Sequence, residues 1–312
     1  MTATTTAPAA AAAPRTVRQP SARLRAWATR APLLPALVFM IAVTQLPFVA
    51  TLVISFFDWN ALYPKARRFT GLDNYHQVLT DSALRHSVWT TVLLTVAVVL
   101  ASLVLGLVLA LLLDRRFPGR GVVRTLLIAP FLVVPVAAAL LWKHVLYNPE
   151  YGLLNGLLHY VGGPQPDWIS NTPLLAVEVS LVWQWTPFMM LILLAGLQSR
   201  DQQQIEAARV DGAGGWQIFV HLTLPHLRRY LELGALLGSV YIVQNFDAVF
   251  TITSGGLGTA NLPYTVYQSF YQAHENGLAS AAGVLVVIGS IIIATFALRV
   301  VSSLFREEVS RA

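Results

Sequence analysis

The sequence predicts an all-α integral membrane protein with about six transmembrane helices. Of its 312 residues, 55% are apolar and only 12% are charged, and the mean hydropathy is +0.60. A soluble domain carries about 25% charged residues, so much of this surface must face lipid. A bilayer core of about 30 Å takes roughly 20 helical residues. Six apolar stretches reach that length.

Six spans are predicted in chain order. The fifth is the least apolar because it contains Glu232 and three further polar residues near its end. Several spans contain proline, which neighbouring helices tolerate by satisfying the freed carbonyl groups. The spans are Leu33–Phe57, Ser87–Leu113, Val122–Leu146, Leu174–Leu197, Tyr230–Thr251 and Leu278–Phe305.

The two tails flank a transmembrane domain, 31–306. Residues 1–30 are rich in Ala, Thr and Pro and contain few bulky apolar side chains, which predicts a disordered N-terminal tail. A signal peptide is the alternative, but the apolar run that follows is about 25 residues, longer than the 7–15 of a signal peptide core. Residues 307–312 form the predicted C-terminal tail.

Arginine and lysine placement predicts the orientation. Basic residues collect on the cytoplasmic side of membrane proteins, and 16 of the 21 lie in the two tails and in the second and fourth connections or at their edges. Both termini are therefore predicted to be cytoplasmic. Because these charges are spread along one membrane face, they do not indicate a nucleic-acid site.

The connection between the fourth and fifth spans, residues 198–229, is called the coupling loop below. It is predicted to hold two short helices. Asp201 is the expected N-cap of a helix over Gln202–Val210, and Gly212 stands where a helix end favours positive φ. A second short helix is expected over about Trp216–Leu222, running into Leu224-Pro225.

The string Glu206-Ala207-Ala208-x-x-Asp211-Gly212-Ala213, followed by Leu222-x-Leu224-Pro225, resembles the EAA loop of ABC importer permeases, above all the carbohydrate type. Leu222 replaces the usual isoleucine, and the proline often found after Leu-Pro is absent. The resemblance implies a type I importer permease fold with cytoplasmic coupling helices. It also implies that this loop docks onto a separate ATPase. The implied coupling residues are Glu206, Ala207, Ala208, Asp211, Gly212, Leu224 and Pro225.

Other segments agree with the resemblance, which covers about residues 33–305. Phe69–Tyr75 is similar to the family's Gly-Leu-x-Asn-Tyr segment, and Phe246-Asp247 with Thr253–Gly256 resembles the end of its fifth helix. The implied function is the permease subunit of a bacterial inner-membrane importer for a sugar, oligosaccharide or polyol. The implied partners are an ATP-binding subunit dimer, a second homologous permease and an extracytoplasmic solute-binding protein.

The sequence offers no basis for enzyme chemistry. It contains no Gly-x-x-x-x-Gly-Lys-Ser/Thr phosphate loop, so ATP hydrolysis is expected on another subunit. With no cysteine, no His-x-x-x-His or Glu-x-x-His set within a span and no nucleophile elbow, we expect no catalytic residue, metal or cofactor. An ATP-independent secondary transporter or channel remains the alternative function.

Polar residues within two predicted spans are candidates for the substrate pathway. Polar groups at membrane depth usually face a cavity or a partner, and aromatic rings with amides and carboxylates suit a polyhydroxylated solute. Helix packing is the alternative explanation, and it is the preferred one for Gly234-x-x-x-Gly238. Tyr241, Gln244 and Asn245 are expected on one helical face. The candidates are Trp183, Gln184, Trp185, Tyr241, Gln244, Asn245 and Asp247.

Overall fold

The computed structural model describes residues 33–309, and in the last helix it describes side chains as far as Phe296 together with that of Arg299. The predicted disordered tail, 1–30, and the last three residues of the predicted C-terminal tail lie outside the described residues. The chain divides into two compact units at residue 50, and most of the first helix represents the first unit. The described residues are mostly helical.

The helices and strands follow one another with short connections. Wider π-helical turns at Leu141–Leu146, Phe219–Thr223 and Gln268–Gln272 directly follow α5, α10 and α13. The elements are α1 (Leu34–Ile54), β1 (Phe57–Asp58), β2 (Arg68–Phe69), α2 (Asp73–Thr80), α3 (Ser82–Asp114), α4 (Arg120–Leu132), α5 (Pro135–Leu140), α6 (Leu153–Tyr160), α7 (Trp168–Asn171), α8 (Pro173–Gln198), α9 (Gln202–Val210), α10 (Gly215–Ile218), α11 (Leu224–Val243), α12 (Asp247–Ile252), α13 (Leu262–Tyr267) and α14 (Asn276–Val309).

Within residues 33–309, four helices are long and apolar enough to cross a membrane: α1, α3, α8 and α14 as far as Phe296. A fifth span results if α4 is joined to α5 and its π turn through a bend of 97°. The predicted fifth span, Tyr230–Thr251, falls on α11 and α12, and α11 does not meet the same test of length and hydropathy. Length and composition therefore support four or five of the six predicted spans.

Two predicted spans are broken rather than straight. The third breaks at Val133-Val134, where both residues adopt ψ angles near 134°. Pro135 causes this break because it disfavours helical geometry in the residue before it. The fifth breaks after Val243, and the chain resumes as a helix only at Asp247. Each of these two predicted spans therefore consists of two helical segments joined at a break.

The core forms where α3, α8, α11 and α12 pack together. Leu94, Leu181, Met189 and Ile242 are each at most 1% exposed. A methyl group added to Gly238 would lie 2.4 Å from Cε of Met189, so α11 approaches α8 very closely. The predicted packing role of Gly234-x-x-x-Gly238 is confirmed.

Residues of the Phe69–Tyr75 segment bind the stretch of chain around Ser55 and Phe57. The Nδ2 of Asn74 donates to the carbonyl oxygens of Ser55 (2.8 Å) and Phe57 (2.9 Å). The hydroxyl of Tyr75 lies 2.6 Å from that of Ser55. β1 pairs antiparallel with β2 in the same region. The asparagine and tyrosine of this motif therefore have a structural role.

Candidate functional site

Helix α9 begins and ends at the residues that the sequence predicts. The Oδ1 of Asp201 accepts the backbone N–H of Gln203 at 2.9 Å, which satisfies one of the free donors of the first turn. At the other end Gly212 has φ +87°, and Ala213 N donates to Ala208 O at 2.9 Å. Positive φ is strained for any residue with a Cβ. Asp201 and Gly212 therefore set the length of α9.

One face of α9 is anchored in the protein and the other is open. Ile205 is 6% exposed, whereas Glu206 and Ala207 are exposed and Val210 is 88% exposed. Trp216, at the start of α10, is 75% exposed. The coupling loop thus presents a carboxylate, a small residue and two apolar side chains on its outer surface.

Arg200 joins the coupling loop to three neighbouring elements. Its Nη2 donates to the Oδ2 of Asp114 at the end of α3. Its Nη1 donates to the hydroxyl of Thr223 at 3.0 Å, and its Nε donates to the carbonyl of Leu197 at 2.9 Å. The side chains of Arg200 and Asp114 are 17% and 27% exposed, so water only partly screens their ion pair. Arg200 therefore fixes the start of α9 against α3, α8 and the turn before α11.

A second set of hydrogen bonds ties the end of α8 to the start of α11. The hydroxyl of Ser199 lies 2.7 Å from that of Tyr230 and 3.1 Å from Nε2 of His226. The same His226 nitrogen lies 3.0 Å from the carbonyl oxygen of Gly196. Both ends of the coupling loop are therefore attached to the helices that it connects.

The second half of the coupling loop differs from the prediction. Instead of forming a separate short helix over about Trp216–Leu222, the helix that starts at Gly215 continues through the π turn Phe219–Thr223 directly into α11. Proline has no N–H to donate within a helix, and here it stands in the first turn after the wider one. α10 and α11 are therefore joined without a non-helical connection.

The two tryptophans of α8 point to different neighbours. The ring of Trp185 packs against Phe131, Phe188 and Tyr241, with centroid distances of 5.8, 5.8 and 5.2 Å. We call these four residues the aromatic cluster. Trp183 instead lies edge-to-face on Trp142 at 5.8 Å. Helical geometry explains the divergence, since two positions along a helix differ by about 200°.

Gln184 is buried, and its amide is already used. Its Nε2 donates to the carbonyl oxygen of Val133 at 3.1 Å. That carbonyl lies at the break between α4 and α5. An unpaired carbonyl at membrane depth is costly, so this hydrogen bond stabilises the bend.

The polar residues of the fifth predicted span lie at a break, not on one helical face. Helix α11 ends at Val243, so the expected alignment of Tyr241, Gln244 and Asn245 is wrong. Tyr241 is 55% exposed and Gln244 is exposed, whereas Asn245 and Asp247 are half-buried. The Oδ1 of Asn245 is buried and has no hydrogen-bond partner among the described residues. The break therefore concentrates polar groups beside the aromatic cluster.

The sequence stretch that begins at Asn261 supports this break. Its Nδ2 donates to the backbone carbonyl of Asn245 at 2.6 Å, and its Oδ1 accepts the N–H of Tyr264 at 3.1 Å. Asn261 is completely buried. It thus caps α13 and holds the chain between α11 and α12.

Several residues of the site were not singled out from the sequence. They come together only through contacts between residues far apart in sequence; those of Arg200 with Thr223 and Asp114 span 23 and 86 positions. These residues are Arg200, Asp114, Ser199, Tyr230 and His226. One signal was available: Asp114 is an acidic residue at a span end that is otherwise followed by arginines. The partner of that carboxylate could not be read from local sequence.

A known family matches most of this region. The family described as "Binding-protein-dependent transport system inner membrane component" matches residues 102–307. This range contains the last part of α3, all of α4 to α13, most of α14, the coupling loop and the aromatic cluster.

Related proteins cover nearly the whole chain. The probable ABC transporter permease protein y4oQ of Sinorhizobium fredii is 34% identical over 92% of this chain and 93% of its own. The trehalose/maltose transport system permease protein MalF of Thermococcus litoralis is 34% identical over 82% and 87%. The trehalose transport system permease protein SugA of Mycobacterium tuberculosis is 32% identical over 81% of each.

A solved structure has the same fold. One chain of a bacterial alginate ABC transporter, crystallised with an alginate pentasaccharide-bound periplasmic protein, superposes with a TM-score of 0.77. It covers 91% of this chain and 96% of its own at 20% identity. At this identity the likeness establishes a shared fold.

Proposed function

Because this chain belongs to the family of binding-protein-dependent transport system inner membrane components, we propose that it forms half of the translocation pathway for a sugar or polyol. In this proposal a separate ATPase drives transport by acting on α9. The chain is a multi-pass permease subunit of an ABC importer and has the type I importer permease fold. The relatives named for trehalose and maltose support a carbohydrate, oligosaccharide or polyol as the transported solute.

The outer surface of α9 is the observation that carries the coupling role. Val210 on α9 and Trp216 at the start of α10 expose 88% and 75% of their surface, and such exposed apolar groups suit a contact with another protein. The small side chain of Ala207 lets another protein approach the helix closely, and the carboxylate of Glu206 can accept a hydrogen bond from a cationic or N–H donor. Such a surface suits insertion into a groove of a separate ATP-binding subunit. Asp211, Gly212, Leu224 and Pro225 shape the loop around it.

The contacts of Arg200 provide the mechanical connection. When the two ATP-binding subunits close, a docked α9 moves with them. The guanidinium group passes this movement to α3 through Asp114 and to the turn before α11 through Thr223. These helices enclose the core beside the aromatic cluster, so their displacement opens the pathway to alternate sides.

The aromatic cluster is the proposed contact for the solute. Trp185 and Tyr241 can stack on the C–H faces of a sugar ring, and the exposed amide of Gln244 can bond its hydroxyl groups. Asn245 and Asp247 lie at the same break. In contrast, Trp183 packs on Trp142 and Gln184 bonds the Val133 carbonyl. We therefore propose Trp185, Tyr241 and Gln244 as the first residues to test.

The remaining partners follow from the importer class. We propose a bacterial cytoplasmic membrane location with both termini and the coupling loop in the cytoplasm, as the arginine distribution predicts. A second, homologous permease completes the pathway. An extracytoplasmic solute-binding protein delivers the solute, and a pair of ATP-binding subunits hydrolyses ATP.

Substitutions on α9 test the coupling role. Ala207→Arg places a long charged side chain on the docking surface, and Gly212→Val strains a position at φ +87°. Both are expected to reduce co-purification of the ATP-binding subunit and uptake of labelled maltose and trehalose. Glu150→Gln, an exposed acidic residue outside the coupling loop, is the control. Normal association and uptake in both α9 variants would overturn the docking role.

A further inference from the structure

A large cavity lies beside the coupling loop, where α3 ends and α4 begins. Its volume is about 930 Å³. α9 forms one wall through Ile205 and Glu206, and the α3–α4 connection forms another through Arg115 and Arg116. The Arg200–Asp114 ion pair lies in the lining and holds the walls together. This cavity is distinct from the aromatic cluster, but it shares Glu206 with the outer surface of α9.

The lining of this cavity has an excess of positive charge. Apart from the Arg200–Asp114 pair, four guanidinium groups and one carboxylate face it, an excess of three positive charges (four minus one). None of these five groups forms an ion pair with any residue that the structure describes. They belong to Arg115, Arg116, Arg120, Arg209 and Glu206.

Two other features favour an anion in this place. Helix α4, 13 residues long, starts at Arg120 in the cavity wall, and no side chain caps its N-terminus. The positive end of its dipole therefore adds to the arginine field. Leu111 and Leu197 contribute an apolar part of the lining. A ligand with a phosphate group and an adjoining apolar part matches both surfaces.

We propose that this cavity binds a phosphate group, carried by the headgroup of an anionic phospholipid or free in solution. Arginine forks bond phosphate oxygens in pairs, and basic pockets between membrane helices bind lipid headgroups. The bound phosphate neutralises the excess charge and bridges the α3–α4 connection to α9. This binding is a property of the permease chain alone, so it stands or falls independently of the docking role of α9.

Arg124 is a control that distinguishes phosphate binding in the cavity from the general enrichment of arginine at one membrane face. It lies one turn after Arg120 on α4 and is exposed, but it does not line the cavity. If the arginines serve only to orient the protein in the membrane, both positions are equivalent for phosphate binding. If the cavity is a site, only the lining positions matter.

The experiment measures lipid and phosphate binding to the full-length chain purified in a zwitterionic detergent. Native mass spectrometry compares bound phosphatidylglycerol with phosphatidylcholine of the same acyl chains, and a thermal melt follows titration with inorganic phosphate. The test variant is Arg116→Gln/Arg120→Gln, and Arg124→Gln is the control. Arg115→Gln/Arg116→Gln, which alters only exposed side chains, is a second test variant in case the first does not fold.

We expect selective binding of phosphatidylglycerol, weakened about tenfold or more in either double variant, because each loses two charge-assisted contacts. The Arg124→Gln variant should bind as the native chain does. A phosphate-dependent rise in melting temperature that the double variants lack would identify free phosphate as the source. The proposal is overturned if neither ligand binds selectively, or if Arg124→Gln weakens binding as much as the double variants do.

Discussion

Replacing Arg200 with methionine removes three hydrogen bonds while keeping most of the side-chain volume. Two of them go to the neutral oxygens of Leu197 and Thr223 and one to the carboxylate of Asp114. All three are charge-assisted because the guanidinium group is cationic, and such hydrogen bonds contribute about 1.5–3 kcal/mol each. Because Arg200 is 17% exposed, water replaces part of this loss. We expect the free energy of unfolding to fall by about 3 kcal/mol.

A double-mutant cycle with Asp114→Asn isolates the ion pair. The two partners are 17% and 27% exposed, which places the pair between a surface and a buried salt bridge. A coupling energy of about 1.5 kcal/mol is therefore expected. The assay is unfolding of the purified chain by SDS in mixed micelles. A second assay measures how many ATP molecules the assembled transporter hydrolyses for each solute molecule imported. We expect this ratio to rise in the Arg200 variant.

Arg124→Met is the matched control because this arginine is exposed. Its substitution should change the unfolding free energy by less than about 0.5 kcal/mol. Additive effects of the Arg200 and Asp114 variants, or equal destabilisation by the Arg200 and Arg124 variants, would refute the assignment of Arg200 as the link between α9 and α3.

Three further expectations concern packing, capping and solute contact. Gly106→Ala should destabilise the protein by about 2 kcal/mol in the same SDS assay, because its Cβ would lie 2.8 Å from a side-chain Cβ and 2.9 Å from a backbone nitrogen of α8. Gly238→Ala should lower the unfolding free energy by less, since the closest contact of its new Cβ is the flexible end of a methionine. Equal destabilisation by the two substitutions would contradict this. Asp201→Ala should cost about 1 kcal/mol of helix stability and speed amide hydrogen exchange in α9, with Asp201→Ser restoring protection; unchanged exchange would contradict the cap. Trp185→Ala should raise the KM for sugar uptake in the assembled transporter and Trp183→Ala should not, whereas equal KM values would argue against the aromatic cluster as the contact site.

Local sequence was sufficient for the parts of the fold that local chemistry determines. The N-cap at Asp201 and the positive φ at Gly212 were both predicted, because each depends on one side chain and the few residues beside it. The close packing at Gly238 was also predicted, from the spacing of two small residues on one helix face. The same spacing argument failed for Tyr241 and Gln244, since it assumed that α11 continued past Val243.

Long-range contacts decided what the sequence did not show. Pro135 causes the bend between α4 and α5. The bend leaves the carbonyl of Val133 without a helical partner, and the side chain that bonds it, that of Gln184, lies on another helix. Arg200 similarly finds Asp114 across 86 positions. Pairings of this kind depend on how helices pack, and hydrophobic periodicity carries no information about them.

The docking of α9 can be measured directly because the chain contains no cysteine. A single cysteine at Val210→Cys, labelled with a maleimide benzophenone, reports the nearest protein after illumination of the assembled transporter. Tyr160→Cys is the control, since Tyr160 is 91% exposed and lies outside the coupling loop, compared with 88% for Val210. We predict cross-linking to the ATP-binding subunit from position 210 and little or none from position 160. No adduct at position 210, or equal yields at both positions, would contradict the account of α9 as the element that connects the pathway to its ATPase.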